Sequence, residues 1–154
     1  MLGFGLGNHP TSIIPPCFVL QYIFNGDFVD RGDDGVEVML VLLALKSTHP
    51  KYVHLNRGNH EDCLINDAYG FTEECMRKYD KHMLDLFVDM FTTLPLCTLI
   101  ESTGLGQNGA IIVLHGGILM DPRQTLSDID TINRRKIKTV HILDTVNTPE
   151  FLPF

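Results

Sequence analysis

Two short runs of β-branched and aromatic residues and one long apolar run set the hydrophobic pattern of the first half of the chain. Residues 20–25 (LQYIFN) and 52–56 (YVHLN) are each followed by a polar segment that contains glycine, and they predict two strands. Residues 35–46 (GVEVMLVLLALK) are apolar nearly all round, which is typical of a helix buried on more than one side. The predicted order is therefore strand, helix, strand.

The second half of the chain changes to a helical period and then returns to strands. Apolar side chains recur at steps of three and four over residues 73–91, which predicts a single helix that Pro95 closes. Residues 96–101 and 110–114 predict paired strands joined by a glycine-rich turn, and a further helix is expected to begin at Thr125 or Ser127. Helices placed between strands predict an α/β, or mixed α+β, fold layered around a mainly buried sheet.

Composition limits the classes of protein to which the chain can belong. Its 154 residues, 44% of them hydrophobic, fit one domain and exclude global disorder. The net charge of −7 argues against a nucleic-acid partner, and no apolar run reaches the length that a membrane span needs. Four cysteines without a CxxC spacing indicate free thiols and favour an intracellular setting, in the cytoplasm or the nucleus. One basic cluster predicts a solvated helix face: Arg134, Arg135, Lys136 and Lys138.

The two ends of the chain differ from its middle. Residues 1–26 contain no Asp, Glu, Lys or Arg, and prolines interrupt them, so they lack the basic start and continuous apolar centre of a signal peptide. We therefore predict an atypical, irregular N-terminal extension over residues 1–19. A folded domain over residues 20–140 and a C-terminal tail over residues 141–154 complete the predicted organisation.

Polar side chains and glycines follow three of the predicted strands at the point where each strand ends. The segments are 26–32 (GDFVDRG), 57–61 (RGNHE) and 115–117 (HGG). Ligands of layered α/β folds bind beyond the carboxyl ends of the strands, where loops project side chains into a crevice. One such turn is common and usually structural, but three of them in this order indicate a functional site.

The residue types in these three segments suit a metal and a phosphate group. A carboxylate (Asp27), a carboxamide (Asn59) and an imidazole (His115) together fit a divalent transition metal such as Mn, Fe or Zn. Asp30 and Arg31 stand three and four residues after Asp27, and a guanidinium can bind two phosphate oxygens at once. The sequence therefore predicts metal-assisted chemistry on a phosphate.

The motifs GDFVDRG, RGNHE and HGG resemble those of the phosphoprotein phosphatase family of metal-dependent Ser/Thr phosphatases. The stretches YIFNGDFVDRG, HLNRGNHED, YGFTEECMRKY and DIDTINRRKIK look most like the subfamily that carries EF-hands, and the resemblance covers about residues 22–138. It implies part of a calcineurin-like metallophosphoesterase β-sandwich flanked by helices, with residues 20–140 as a partial catalytic domain. The implied activity is hydrolysis of phosphoserine and phosphothreonine by attack of a metal-activated hydroxide.

The same resemblance implies metal-binding roles for three residues. Two divalent ions (Mn, Fe or Zn) are expected for the family, and Asp27 would bridge them while Asn59 and His115 bind the second ion. The family's first motif, GDxHG, and the later half of its catalytic domain do not occur in this sequence. By this count the first metal site is incomplete, since it would keep only Asp27.

Catalytic and phosphate-binding roles are also implied by the resemblance. His60 would be the general acid that protonates the leaving alkoxide, and Asp30 would hold its imidazole in position. Arg31 would grip the phosphate, which Asn59 and His60 would also contact. Phosphoprotein substrates and regulatory proteins are the implied partners, with neither nucleic acid nor membrane among them.

Two alternatives to an active phosphatase stay open. The chain can be a catalytically inactive fragment or truncated isoform that acts only through weak metal binding or protein contacts. It can also be another metallophosphoesterase acting on small phosphates, although VDRG and RGNHE are more particular than general GD and GNH turns. We expect the 154 residues alone to show negligible activity and poor stability, because an incomplete sheet leaves open edges and an exposed apolar face.

Overall fold

The computed structural model describes residues 11–14 (backbone only), 20–102, 109–116, 123 and 125–135. Several predictions lie outside these residues. They are most of the N-terminal extension, the glycine-rich turn before residue 109, the last glycine of HGG, Lys136 and Lys138 of the basic cluster, and the C-terminal tail. The bounds of the three predicted parts stay a prediction.

Five strands and five helices are present in the described part of the chain. The strands are β1 Thr11–Ile14, β2 Tyr22–Phe24, β3 Val53–Leu55, β4 Cys97–Ser102 and β5 Gly109–Leu114. The helices are α1 Gly35–Thr48, α2 Cys63–Tyr69, α3 Phe71–Lys78, α4 Lys81–Phe91 and α5 Leu126–Asp130. This order confirms the predicted mixture of helices and strands.

The strands form two sheets. In the larger sheet, in the order β1-β4-β5, β1 runs parallel to β4 and β4 runs antiparallel to β5. In the smaller sheet β2 and β3 are parallel, with Tyr22 opposite Val53 and Phe24 opposite Leu55, and α1 lies in the connection between them. Because parallel strands end at the same edge of a sheet, the loops that follow β2 and β3 lie side by side.

The amide of Asn56 joins the two sheets. This residue follows β3 and is fully buried, and its Nδ2 donates to Oδ1 of Asn25 at 2.8 Å and to the Val113 carbonyl of β5 at 3.1 Å. Its Oδ1 accepts a hydrogen bond of 2.7 Å from the Thr98 hydroxyl of β4. These three bonds satisfy a buried polar group and fix the end of β5 against the ends of β2 and β3.

Aromatic rings from α3 and α4 form the centre of the core beneath α1. The ring centroid of Phe71 lies 5.4 Å from that of Phe87 and 5.7 Å from that of Phe91. Val36 and Met39 of α1 are fully buried in the same cluster. Burying each of these large side chains contributes roughly 1.5–3 kcal/mol relative to leaving it in water.

A buried carboxylate from α3 holds the beginning of α1. Glu74 accepts the N–H groups of Gly35 at 3.1 Å and Val36 at 2.9 Å, which otherwise have no partner within the helix. Lys78, one turn further along α3, donates to Glu74 at 3.0 Å and balances its charge. The start of α1 is therefore fixed by a contact distant in sequence rather than by its own N-cap residue, Asp34, whose side chain makes no capping hydrogen bond.

The prediction that α1 is buried on more than one side is wrong for this chain. Val36, Met39 and Leu42 are buried and Leu43 is partly buried, but four other large apolar side chains of the helix are exposed: Val38, Leu40, Val41 and Leu45. Val41 is 58% exposed, and Ile111 on β5 is 61% exposed. Among the described residues, apolar packing partners thus cover only one side of this helix.

The predicted helix over residues 73–91 is two helices in the structure. The backbone of Asp80 is extended (φ −155°), and its side chain accepts the N–H of Met83 at 2.9 Å, which starts α4 anew. An Asp that caps a helix offers the backbone an alternative to continuing the preceding one. The apolar period continues across the break, so the pattern alone did not reveal it.

Two elements were not predicted at all. Asp62 caps α2 by accepting the N–H groups of Leu64 and Ile65, and this N-cap before a short apolar run is the signal that could have found the helix. Strand β1 lies within the predicted irregular extension, where its sequence (TSII) stands between prolines. Its three β-branched residues were outweighed by the prolines and glycines around them.

The remaining predictions of elements were closer. The strands at 20–25, 52–56, 96–101 and 110–114 and the helix at 35–46 are confirmed with small shifts of their ends, and the later strand pair is antiparallel. The helix expected at Thr125 or Ser127 begins at Leu126 after Thr125. The solvated helix face is wrong for Arg134, which is buried and lies beyond the end of α5 at Asp130.

Candidate metal and phosphate site

The loop after β2 has an unusual backbone. Gly26 has a φ of 84°, and three residues that are not glycine also have positive φ: Asp27 (58°), Asp30 (73°) and Arg31 (58°). A residue other than glycine in this left-handed backbone region destabilises the fold by about 1–3 kcal/mol, and such residues cluster at functional sites. All three were predicted as site residues from the sequence.

The loops after β2 and β3 touch through their glycines. A Cβ atom on Gly26 would lie 2.6 Å from the Cα of Gly58 and 2.7 Å from Nδ1 of His115. A Cβ atom on Gly58 would collide with the backbone nitrogen of Asp27. Only hydrogen side chains allow this approach, which brings the backbones of the two loops into contact.

Asp27, Asn59 and His115 converge from the three loops as predicted. Nε2 of His115 lies 3.0 Å from Oδ1 of Asn59 and 3.2 Å from Oδ1 of Asp27. The other ring nitrogen, Nδ1, donates to the carbonyl of Asn25, and this bond assigns the tautomer in which Nε2 carries the lone pair. Two oxygens and an imidazole nitrogen therefore face one small volume.

This donor set fits a divalent metal ion. Carboxylate, amide oxygen and neutral imidazole suit Mn, Fe or Zn, and a carbonyl bound to the far ring nitrogen is the usual way of orienting a histidine ligand. Within the described residues, no group of three or more His, Cys, Asp and Glu side chains is suited to a metal. The amide of Asn59 is thus needed to bring the set to three.

His60 and Asp30 form a buried pair beside these donors. Nδ1 of His60 lies 2.8 Å from Oδ2 of Asp30, and the carboxylate also accepts Nδ2 of Asn66 at 3.1 Å and the N–H of Phe71 at 2.9 Å. The backbone N–H of His60 donates to Oδ1 of Asp27 at 3.2 Å, which connects the pair to the metal-type donors. Asp30 thus contacts a ring nitrogen of His60, the residue that the family resemblance implies it should hold.

Tyr69, at the end of α2, contacts both Arg31 and His60. The Arg31 guanidinium carbon lies 5.2 Å from the centroid of the Tyr69 ring, and the edge of that ring meets His60 at 5.4 Å between centroids. The backbone N–H of Arg31 also donates to the Tyr69 carbonyl at 3.1 Å. Tyr69 was missed by the sequence analysis because α2 itself was missed.

Glu61 is the second residue that the sequence analysis left without a role. Its side chain is fully buried, and its carboxylate accepts the N–H groups of Asp27 (2.9 Å), Phe28 (2.7 Å) and Gly58 (2.7 Å). Burial raises the pKa of Glu61 above its ordinary value, although the three N–H donors act in the opposite direction. Asn59 and Arg31, by contrast, are exposed and accessible to a ligand.

Loops at the carboxyl ends of β2, β3 and β5 thus hold metal-type donors, a His–Asp pair and an exposed arginine, an arrangement typical of metal-dependent phosphoesterases. The sequence agrees with this class. Residues 18–147 match the family of calcineurin-like phosphoesterases, and the chain belongs to that family. The family resemblance carried by the motifs and the mixed fold predicted from the order of helices and strands are both confirmed.

Relatives with established names are Ser/Thr protein phosphatases. The chain is 47% identical to serine/threonine-protein phosphatase T of Saccharomyces cerevisiae, over 73% of this chain and 21% of that protein. It is 46% identical to human serine/threonine-protein phosphatase with EF-hands 2 (76% of this chain, 15% of that protein). It is 44% identical to human serine/threonine-protein phosphatase 5 (79% and 23%).

A solved structure shows the same fold. It is a protein serine/threonine phosphatase from Saccharomyces cerevisiae with similarity to human phosphatase PP5, which superposes with a TM-score of 0.68 and 37% identity. The match covers 80% of this chain and 43% of that chain. The chain thus spans about a fifth of the curated relatives it matches and less than half of the solved chain.

None of the described helices is long and apolar enough to cross a membrane.

Proposed function

We propose that the chain is part of the catalytic domain of a Ser/Thr protein phosphatase, hydrolysing phosphoserine and phosphothreonine. The observation that carries the proposal is the position of the His60–Asp30 pair beside the Asp27, Asn59 and His115 donors. The backbone hydrogen bond of 3.2 Å from His60 to Asp27 ties the two groups together. A general acid next to a metal-type donor set is what hydrolysis of a phosphate ester requires.

Each residue of the site has a separate task under this proposal. Asp27, Asn59 and His115 hold divalent metal, which when bound polarises phosphoryl oxygens and lowers the pKa of water. His60 donates a proton from Nε2 to the leaving alkoxide, since Asp30 binds its Nδ1. Arg31 binds phosphate oxygens, and the ring of Tyr69 steadies its guanidinium.

The substrates and partners proposed here follow from the relatives. Those relatives are named as Ser/Thr protein phosphatases, and we extend phosphoprotein substrates to this chain. Regulatory proteins are proposed as further partners. Mn, Fe and Zn all suit the donor set, and two ions are proposed by analogy with the family. We further propose an intracellular location.

A second candidate function is a catalytically inactive form that binds metal weakly. The observation in its favour is that the described residues supply three converging side-chain donors, of which Asp27 alone would serve a first metal. Large apolar side chains on α1 and β5 are also exposed, and an exposed apolar face is expected when a sheet is incomplete. Under this reading the chain alone binds one ion and turns over no substrate.

A chimera tests the phosphatase proposal. Residues 20–135 of this chain replace the matching segment of the yeast phosphatase T, and turnover of a phosphoserine peptide is measured with Mn²⁺. We expect activity that Asp27→Asn abolishes, whereas the chain of 154 residues alone stays near background. A folded but inactive chimera would contradict the phosphatase proposal and favour the inactive form. Strong activity of the chain alone would contradict the inactive form.

A further inference from the structure

Glu61 bridges the two loops that carry Asp27 and Asn59. Its Oε2 accepts the N–H of Asp27 at 2.9 Å and the N–H of Gly58 at 2.7 Å, and its Oε1 accepts the N–H of Phe28 at 2.7 Å. One carboxylate thus binds the backbone of both loops at once. The side chain is fully buried and reaches the loop after β2 from the loop after β3.

The bridge lies at the place where the backbone is most constrained. Asp27 has a φ of 58°, and Gly58 approaches it so closely that no side chain fits between them. In this geometry the three N–H groups bond the carboxylate rather than another strand or helix, and unpaired buried N–H groups are costly. Glu61 therefore supplies hydrogen-bond acceptors to the backbone in the conformation that directs the Asp27 carboxylate toward Asn59 and His115.

Glu74 supplies a natural comparison, because it is a second buried carboxylate with the same kind of contact. It accepts the N–H groups of Gly35 and Val36 at the start of α1, and neither N–H belongs to a metal-type donor or to its neighbour in sequence. A merely stabilising role predicts the same consequences for loss of either carboxylate. A role in metal binding predicts a difference between them.

We propose that Glu61 is a positioning residue that sets the metal affinity of the site by fixing Asp27 and Asn59 relative to each other. This inference rests on the proposed function, since it requires that the three donors bind metal. Groups that orient metal ligands typically change affinity by about 10–100-fold when they are removed. Glu61 acts here through backbone N–H groups rather than through the ligand side chains.

The test is a titration of the whole chain with Mn²⁺, in which electron paramagnetic resonance measures the concentration of the free ion. The variants are Glu61→Gln, Glu61→Asp and, as the matched control, Glu74→Gln, with thermal unfolding measured for each. We expect Glu61→Gln to weaken Mn²⁺ binding at least tenfold, Glu61→Asp to restore part of the affinity, and Glu74→Gln to stay within about twofold of the parent.

Two results would overturn the inference while leaving the proposed site intact. One is a folded Glu61→Gln variant with the parent's affinity, and the other is an equal loss in Glu61→Gln and Glu74→Gln. If Glu61→Gln does not fold, Glu61→Asp decides, and parental affinity in that variant refutes the inference. Binding in the parent that Asp27→Asn does not weaken overturns the proposed site, and the inference with it.

Discussion

The Nδ1 atom of His60 lies 2.8 Å from Oδ2 of Asp30, and the Asp30 carboxylate has no exposure to solvent. A buried carboxylate that binds Nδ1 leaves Nε2 as the ring nitrogen that can face a substrate. The pair is separated by 30 positions in sequence and is assembled by the parallel alignment of β2 and β3. Its geometry leads to the first prediction.

Replacing His60 with Asn is expected to remove the proton donor while keeping the metal donors. We expect turnover of the chimera described above to fall by about 10²–10⁴-fold, with Mn²⁺ binding nearly unchanged, because loss of a general acid costs that much. Turnover is measured on a phosphoserine peptide, beside His82→Asn as an exposed histidine control. Unchanged turnover in His60→Asn would refute the role of this residue.

Asn66 is expected to stabilise the fold through the His60–Asp30 pair. Its Nδ2 donates to Asp30 at 3.1 Å and to the carbonyl of His60 at 2.7 Å, and the residue is fully buried. Asn66→Ala leaves both acceptors short of a donor, so we expect a loss of about 1–3 kcal/mol in the free energy of unfolding. Urea denaturation measures it, with exposed Asn133→Ala as the control; equal stability of the two variants would argue against the prediction.

Gly58→Ala is expected to push the two site loops apart. The added methyl group would lie 2.4 Å from the backbone nitrogen of Asp27, so the backbone of one loop must shift to accept it. We expect a loss of about 1–3 kcal/mol in stability together with weaker Mn²⁺ binding. Gly109→Ala is the matched control, because a Cβ atom there meets nothing within 4 Å. A Gly58→Ala variant as stable as Gly109→Ala would show that the loops do not need this close contact.

His54 is expected to make stability depend on pH. Burial lowers its pKa below the ordinary value of 6.5, and the nearby Lys46 lowers it further, while its Nε2 stays bound to Gln21 at 2.8 Å. The unfolded chain therefore binds the proton more readily, so the stability present above pH 6.5 is lost as the pH falls through the pKa of the folded protein.

The measurement for this prediction is the free energy of unfolding at several pH values between about 5 and 8. The decrease toward low pH should be smaller in His54→Gln than in the parent, and unaltered in His82→Gln, whose side chain is exposed. Parallel curves for the parent and His54→Gln would contradict the assignment.

Much of the site could be read from the sequence because its chemistry is carried by side chains in short contiguous motifs. Asp27, Asn59 and His115 each follow a predicted strand, and the rule that ligands bind beyond the carboxyl ends of strands was enough to assign them to one site. The pairing of His60 with Asp30 was implied by the family resemblance of the motifs that contain them. Both relationships depend on residue types in short segments, which are visible along the chain.

The parts that were missed depend on contacts with backbone groups far away in sequence. Glu61 binds N–H groups 33 and 34 positions earlier, and nothing in its own motif shows which N–H groups lack partners. Tyr69 reaches Arg31 only because α2 folds back over the loop after β2. The burial of Arg134 likewise follows from packing, which a cluster of basic residues in the sequence does not reveal.

The amide of Asn56 gives the site a consequence that concerns tolerance to change. Hydrogen bonds hold their partners within a few tenths of an ångström, whereas apolar packing accepts swaps of similar volume. Since His115 follows β5 and Asp27 follows β2, the amide that joins both sheets acts on the spacing between these two donors, together with the bond from His115 to the Asn25 carbonyl. Replacements of similar volume in the aromatic cluster are therefore expected to change stability alone, whereas a replacement of Asn56 is expected to change the distance across the metal donors as well.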